Sequence, residues 1–331
     1  MTTKLSAAAK FAGAVIAGAL SASACFAPAQ AATDTASLQQ AWRDTIAHTP
    51  TPAGGCFTAT YPLTVWRQVG CVTAPNRPYV PATGSHSGAQ TTGDGNDYAA
   101  VSTALVSAME GSFPKAKGLK SETDGGSNVY SIQLNSQFMT GDQACAGASV
   151  PANCLGWLQY VYSSSEHAAF MQYWLIHYSG GSIHCPSGWN SFSTDCYKNS
   201  KAITVPQEPI TDLPQITLTG NAVANGNDTL KFVDGSNAYS TSGLDTVMYL
   251  AAGWMEGEFN VIGDGGGSQA NFNTGTKLTV KIAVTNGSTA APTCKANDGT
   301  TGETNNLNLG KCTVKAGKGK KLPFVQFTES N

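Results

Sequence analysis

Cysteine spacing limits this chain more than any other feature of its sequence. Nine cysteines occur in 331 residues, and Cys25 falls inside the N-terminal export signal described below. The remaining eight form four local couples, Cys56/Cys71, Cys145/Cys154, Cys185/Cys196 and Cys294/Cys312. An even set is typical of disulfide-bonded proteins of oxidising compartments, although many connectivities are open. Neighbour pairing would close short loops, each stabilising the fold by ~2–4 kcal/mol.

Zinc is the other use of clustered cysteines. The sequence contains no C-x-x-C motif, and its five histidines lack ligand spacing. Disulfides are therefore favoured, and we predict no metal and no cofactor.

The N-terminus predicts export. Lys4 and Lys10 precede a short apolar run at residues 11–20, and residues 29–31 (AQA) form a cleavage site. Residues 1–31 therefore read as a signal peptide of a secreted, periplasmic or extracellular protein. The alternative is a lipoprotein box at residues 22–25 (ASAC), with the protein anchored at Cys25. No apolar run reaches the ~20 residues that a membrane span requires.

Low charge excludes several classes of partner. Charged residues are 12% of the chain and the net charge is −2. These values argue against nucleic acid and against an electrostatic membrane partner. A chain with few carboxylates to protonate also suits acidic surroundings.

Composition divides the mature chain into three parts. Residues 32–88 are proline-rich, with a short helix predicted at residues 37–46. A Gly/Ser/Thr-rich linker at residues 82–96 overlaps the end of this segment and leads into the next part. A structural cap and a removable propeptide both fit this segment. We assign residues 89–290 to a β-domain and residues 291–331 to a C-terminal extension closed by a disulfide.

Strand patterns dominate from Tyr98 onwards. Alternating apolar segments separated by Gly/Asn/Ser turns occur at residues 130–134, 156–162, 169–178, 277–284 and 324–327. Such a pattern predicts an all-β antiparallel sandwich or barrel. Residues 243–257 are ambiguous, because their apolar positions also fit a helical stripe.

Common catalytic motifs are absent. The sequence has no G-x-S-x-G, no H-E-x-x-H and no phosphate loop, and the even cysteine count leaves no obvious nucleophilic thiol. Residues 94–97 (DGND) and 263–267 (GDGGG) are interpreted as turns.

Two polar residues lie within apolar strands. Gln172 shares a face with Phe170 and Trp174, and Glu258 shares one with Trp254 and Glu256 if that segment is extended. These residues are either satisfied polar positions on a half-exposed sheet or the floor of a cleft lined with aromatic side chains.

At these positions the sequence resembles the eqolisin-type glutamic peptidases. Residues 168–172 (AAFMQ) follow Trp157 by eleven residues and resemble the family's T-A-I-L-Q strand, which bears the catalytic glutamine. Residues 257–264 (GEFNVIGD) resemble its A-E-F/W-I-x-E-D, whose first glutamate is catalytic. Residues 270–272 and 96–100 are similar to two further family segments, so the likeness covers about residues 96–285. Residues 159–163 lack an acidic residue of the family pattern.

The resemblance implies a fold and a chemistry. The fold is a β-sandwich of the concanavalin A-like jelly-roll type. Glu258 would take a proton from the attacking water, and the Gln172 carboxamide would donate to the oxyanion. Trp157 and Trp174 would shape the cleft and bind substrate there, or else pack in the core. Glu256, which has no counterpart in the family, is a third candidate for substrate binding and could compete for the carboxylate role. The family is made as precursors, which would make residues 32–88 a cover for the cleft.

The resulting hypothesis is a secreted glutamic endopeptidase with a polypeptide substrate. The first alternative is a non-catalytic, lectin-like module that presents aromatic side chains to a glycan. The second is a secreted surface protein with neither activity.

Overall fold

The computed structural model describes residues 27–82 and 91–331. The chain divides into two compact units, Met1–Ser37 and Leu38–Asn331. Of the first unit only residues 27–37 are described, as the first part of helix α1 (Ala27–His48). The predicted signal peptide lies outside the described residues up to residue 26, and so do residues 83–90 of the predicted linker.

Strands are the predominant secondary structure of the second unit, which confirms the predicted all-β class. The first strands are β1 (Cys56–Thr60), β2 (Arg67–Val69), β3 (Val72–Thr73), β4 (Thr91–Gly93), β5 (Ala99–Val101), β6 (Ala108–Lys117), β7 (Glu122–Thr123), β8 (Ser131–Ser136), β9 (Met139–Thr140), β10 (Leu155–Ser163), β11 (Ala168–Ile176) and β12 (Asn190–Phe192). They are followed by β13 (Asp195–Asn199), β14 (Lys201–Thr204), β15 (Ile216–Asn221), β16 (Asn227–Asp234), β17 (Asn237–Leu244), β18 (Glu256–Ile262), β19 (Gln269–Phe272), β20 (Lys277–Thr285), β21 (Thr293–Lys295), β22 (Thr304–Leu309), β23 (Thr313–Lys315) and β24 (Phe324–Ser330).

Helical structure in the described residues is short apart from α1. Helix α2 spans Leu250–Gly253, and single 3-10 turns occupy Gln143–Gly147, Pro151–Asn153, Ile210–Gln215 and Asp245–Val247. The ambiguous residues 243–257 therefore hold the end of β17, a 3-10 turn, α2 and the start of β18.

Two large sheets form the unit. Sheet I has the order β2-β1-β17-β16-β15-β6-β20-β24-β22-β19-β7, with β4 and β23 paired to β22 and β24. Sheet II has the order β12-β13-β11-β10-β8-β18-β5-β21, with β14, β3 and β9 attached. Among the described strands every pairing is antiparallel except that of β19 with β22. The strands of residues 32–88 and of residues 291–331 belong to the same two sheets as the strands of residues 89–290.

The main core lies between the two sheets. Tyr162 of sheet II stacks on Phe232 of sheet I with ring centroids 4.3 Å apart, and Phe113 meets Phe259 at 4.9 Å. Sheet I also places Gly220 and Gly243 opposite the side chains of Tyr160 and Tyr173. A Cβ added to Gly220 would lie 2.3 Å from the Tyr160 ring, so only glycine leaves room for that tyrosine.

Additional segments cover the outer faces of both sheets. On sheet I, Trp42 and Ile46 of helix α1 pack against Val233 and Ala238. The Lys231 ammonium donates to the carbonyl oxygen of Ala47 near the end of the helix. On sheet II, residues 77–82 and 298–303 cover the strands, so β10 and β11 are buried along nearly their whole length. The candidate site lies beneath these two segments.

All four predicted local disulfides are present: Cys56–Cys71, Cys145–Cys154, Cys185–Cys196 and Cys294–Cys312. Disulfides are typical of proteins that fold in oxidising compartments. Among the described helices, none is long and apolar enough to cross a membrane.

Candidate functional site

Strand register places Gln172 and Glu258 on the same outer face of sheet II. Gln172 pairs with Gln159, Gln159 with Asn135, and Asn135 with Glu258. Residues directly opposite each other on neighbouring strands point to the same side of a sheet. These four residues therefore form one line across β11, β10, β8 and β18, which we call the polar row. Its ends are three strand spacings apart, about 14 Å along the sheet.

Hydrogen bonds connect the two ends of the polar row. The Trp174 indole donates to Oε1 of both Gln172 (2.9 Å) and Gln159 (3.2 Å). Gln159 Nε2 in turn donates to Gln133 Oε1 at 3.0 Å. Asn135 Nδ2 donates to the same Gln133 oxygen at 3.2 Å and to Glu258 at 2.8 Å. The carboxamide in direct contact with Glu258 is thus that of Asn135. Gln172 is connected to Glu258 only through this series of hydrogen bonds.

Glu258 is a buried and fully bonded carboxyl group. Its Oε1 accepts hydrogen bonds from Asn135 Nδ2, Thr300 Oγ1 and the Thr301 amide, and its Oε2 accepts one from the Thr300 amide, all at 2.8 Å. Burial raises the pKa of Glu258, and these donors act against that rise. A buried carboxyl with a raised pKa is a candidate for general acid–base chemistry.

Two further buried carboxyls, Asp97 and Glu329, share the side chain of Asn260, two residues after Glu258. Asn260 Nδ2 donates to Asp97 Oδ1 at 3.0 Å and to Glu329 Oε2 at 3.3 Å. Burial, followed by the charges of Glu258 and Glu329, raises the pKa of Asp97 well above its usual value. Burial raises the pKa of Glu329 to about 7. Carboxyl groups this close favour shared or retained protons over full ionisation.

The three residues predicted to bind substrate lie on this same face. Trp157 and Trp174 are fully buried, and the Trp157 indole donates to Ser136 O and Thr300 Oγ1, both at 3.0 Å. Neither ring is exposed for stacking on a ligand. Glu256 is half-buried, and burial followed by a hydrogen bond with Asp298 raises its pKa to about 8.

Trp254 does not share the face of Glu256 and Glu258. Strand β18 begins only at Glu256, and the preceding chain belongs to helix α2 and its end. The Trp254 ring packs against Tyr160 in the core between the sheets, with ring centroids 6.0 Å apart. Trp254 therefore does not join Glu256 and Glu258 on the outer face of β18.

The chain itself occupies the groove above the Gln172 end of the polar row. Residues 77–82, which we call the covering segment, run across it, with one antiparallel bridge between Pro81 and Thr301. Gln172 Nε2 donates to the carbonyl of Arg77 at 2.9 Å, and the Tyr79 amide donates back to Gln172 Oε1 at 2.7 Å. A carboxamide that binds a peptide in this way recognises the main chain of any sequence.

A second stretch covers the Glu258 end. Residues 298–303, the covering loop, contribute Thr300 and Thr301 to the Glu258 carboxylate. The loop also pairs with the covering segment, since the Ala82 amide donates to Thr300 O at 2.8 Å and the Gly302 amide donates to Val80 O at 2.7 Å. The two covers therefore hold each other in place.

The groove continues past the covering segment into a cavity of about 310 Å³. Its lining is mixed apolar and polar: Pro81, Ala82, Phe138, Leu155, Ile176, His177 and Asp195. Over the described ranges, no group of three or more His, Cys, Asp or Glu residues is arranged to hold a metal ion.

Sequence reasoning identified the ends of the polar row but missed its middle and its cover. Gln133 and Gln159 stand in apolar strands at the same alternation as the two predicted residues, so their pattern could have revealed them. Thr300 and Thr301 come from a stretch without any periodicity and gave no such signal.

Comparison with known proteins gave no relatives. No protein-family model, curated protein or solved structure matches this chain.

Proposed function

We propose that this protein is a secreted glutamic-type endopeptidase held in a covered state by its own chain. Glu258 acts as general base towards water and then as general acid towards the leaving amine. The Asn135 carboxamide, which contacts Glu258, donates to the oxyanion. Gln172, about 14 Å away along the sheet, donates to a peptide carbonyl and holds the main chain of the substrate.

The covering segment is the observation that carries this proposal. An extended peptide of six residues spans about 16 Å, close to the distance between Gln172 and Glu258. It enters over Gln172, and at its other end Ala82 contacts Thr300, which contacts Glu258. The groove thus accommodates a peptide between a main-chain-binding carboxamide and a buried carboxyl group.

Activity requires Glu258 to be uncovered. In the covered state Thr300 and Thr301 occupy both of its oxygens, so water has no access to the base. Removal of residues 32–88 by cleavage in the linker would withdraw the covering segment and release the loop that pairs with it.

Digestion of a denatured protein substrate across pH 2–7 tests this function. The full-length secreted protein is assayed before and after limited proteolysis, together with Glu258→Gln and Gln172→Ala. We expect hydrolysis only after proteolysis, a fall of at least about 10²-fold in turnover for Glu258→Gln, and a raised KM with little change in kcat for Gln172→Ala, which loses main-chain binding.

Two further variants complete this experiment. Asn135→Ala removes the oxyanion donor and should lower turnover by about 10²–10³-fold. Asp212→Asn removes a half-exposed carboxyl of the Ile210–Gln215 turn as a control. Equal turnover by wild type, Glu258→Gln and Gln172→Ala would rule out this site as the catalytic centre.

A further inference from the structure

Main-chain contacts hold the covering segment independently of its side chains. The donors and acceptors come from outside the segment: Gln172 Nε2 to Arg77 O (2.9 Å), Gly266 N to Pro78 O (2.8 Å), Val80 N to Glu303 Oε1 (2.9 Å), Gly302 N to Val80 O (2.7 Å) and Ala82 N to Thr300 O (2.8 Å). Any extended peptide could form these bonds. Selectivity must therefore come from the side chains at particular positions.

Arg77 is the first side chain that the groove contacts. Its Nη1 donates to Asp264 O at 2.8 Å and to Ser165 Oγ at 3.2 Å, and lies 3.5 Å from Asp264 Oδ2. Its Nη2 lies 3.3 Å from Glu166 Oε1. Two carboxylates facing one guanidinium favour a basic residue at this position.

Tyr79, two residues later, fills a closed pocket. It is fully buried, and its ring packs with Val161, Phe170 and Ala202. Its hydroxyl donates to Asp264 Oδ1 at 2.8 Å. The pocket therefore fits an aromatic ring and provides an acceptor for a hydroxyl at the tip of that ring.

Asp264 contacts both side chains from within the Gly263–Gly267 turn. It is 2% exposed and is fixed by hydrogen bonds from Ser163 Oγ (2.8 Å) and the Ser165 amide (3.2 Å). At Gly265, an added Cβ would lie 2.7 Å from Arg77 Cδ, so the glycine makes room for the arginine. This turn is thus a wall of the groove as well as a connection between strands.

We infer that the groove selects peptides with an arginine followed two residues later by a tyrosine, and that Asp264 determines this preference. The inference rests on the proposed function in taking the covering segment as a substrate-like occupant. It adds the class of peptide and the residue that recognises it.

Binding of a free peptide to the full-length protein tests this preference. The probe is a fluorescein-labelled nonapeptide with the sequence of residues 74–82, APNRPYVPA. The receptor carries Arg77→Ala and Tyr79→Ala, which weaken the hold of the protein's own segment. We expect saturable binding by fluorescence polarisation, at least tenfold tighter than to wild type, whose groove is occupied.

Changes in the probe separate the two side-chain contacts. Replacing its arginine with alanine, or its tyrosine with phenylalanine, should each weaken binding about tenfold, as expected for the loss of a hydrogen bond to a charged group. Asp264→Asn in the receptor should weaken the preference for arginine, and Asp264→Asn combined with Glu166→Gln, which removes both facing carboxylates, should abolish it. Equal binding of a scrambled probe, or no binding to the double variant, would overturn the inference.

A conservative variant covers the case in which the double variant does not fold. Tyr79→Phe keeps the ring and loses only the bond to Asp264, so hydrogen exchange at the Val80 amide should accelerate about tenfold. Tyr160→Phe, which loses a hydroxyl bonded to Asn221 on the opposite face of the sheet, should leave that amide unchanged. No difference between the two variants would count against the Asp264 contact.

Mass spectrometry of the bound probe separates this inference from the proposed function. On the receptor after limited proteolysis, selective binding of a probe that stays intact from pH 3 to 7 would retain the peptide preference and remove the peptidase. Hydrolysis of all probes at the same rate would retain the peptidase and remove the preference.

Discussion

Individual residues of this protein contact side chains and backbone groups that lie far away in the sequence. Gln172 and Glu258 were singled out because polar side chains interrupt apolar strands, and the register shows them on one face. Their contacts could not be predicted in the same way. Arg77, Tyr79 and Thr300 reach them from segments whose composition indicates only turns and linkers. The alternation of residues along a strand shows which face of the sheet a side chain occupies. Which other segment packs over that side chain depends on the tertiary fold.

The pairing of glycine with aromatic rings gives a prediction at this scale. Gly220→Ala forces a methyl group to within 2.3 Å of the Tyr160 ring, so we expect a loss of about 1–3 kcal/mol in the free energy of unfolding. Gly70→Ala is the matched control, because a Cβ there meets nothing within 4 Å. Urea denaturation of both variants measures the difference. Equal stabilities would mean that the sheets can move apart at Gly220 without cost.

At the level of elements, the periodic segments were predicted and the aperiodic ones were not. Residues 156–162 and 169–178 correspond to β10 and β11, and residues 37–46 lie within α1. Strands β15, β16 and β17, rich in Thr, Asn and Ser, were not identified individually. Their positions follow from pairing in sheet I rather than from local pattern.

The Cys294–Cys312 disulfide tethers the covering loop, and its removal should have a local effect. Cys294→Ser with Cys312→Ser opens an 18-residue separation, so we expect a loss of about 2–4 kcal/mol. Hydrogen exchange at the Thr300 and Thr301 amides should also accelerate, because the loop becomes free to leave Glu258.

The control for this prediction is the removal of Cys145–Cys154, a bridge that does not enclose the loop. It should lower stability while leaving the exchange of the Thr300 and Thr301 amides unchanged. Similar exchange in both double variants would show that the hydrogen bonds to Glu258 hold the loop without the tether.

The whole molecule carries buried acids whose protonation couples to folding. Burial is the main cause in each case, and it raises the pKa of Glu122 and Glu208 to about 8, of Asp228 to about 7 and of Asp142 to about 6. In the unfolded chain such groups titrate near pH 4. Between about pH 4 and 8 the folded state therefore binds more protons than the unfolded state, and stability falls as pH rises.

Thermal unfolding at pH 4, 6 and 8 measures this dependence. We expect the highest melting temperature near pH 4 and a continuous decrease towards pH 8, in line with the low charge content of the sequence. A melting temperature that is constant or increases over this range would contradict the assignment of protons to these buried acids.

The distribution of disulfides has a consequence for how the covering segment is held. Cys56–Cys71 lies wholly before residue 83, and the other three bridges lie wholly after residue 90, so within the described chain no disulfide joins the two parts. While the backbone is intact, the segment meets the groove at a high effective concentration. A single backbone cut between them would turn this contact into a bimolecular equilibrium, in which simple dilution favours an open groove.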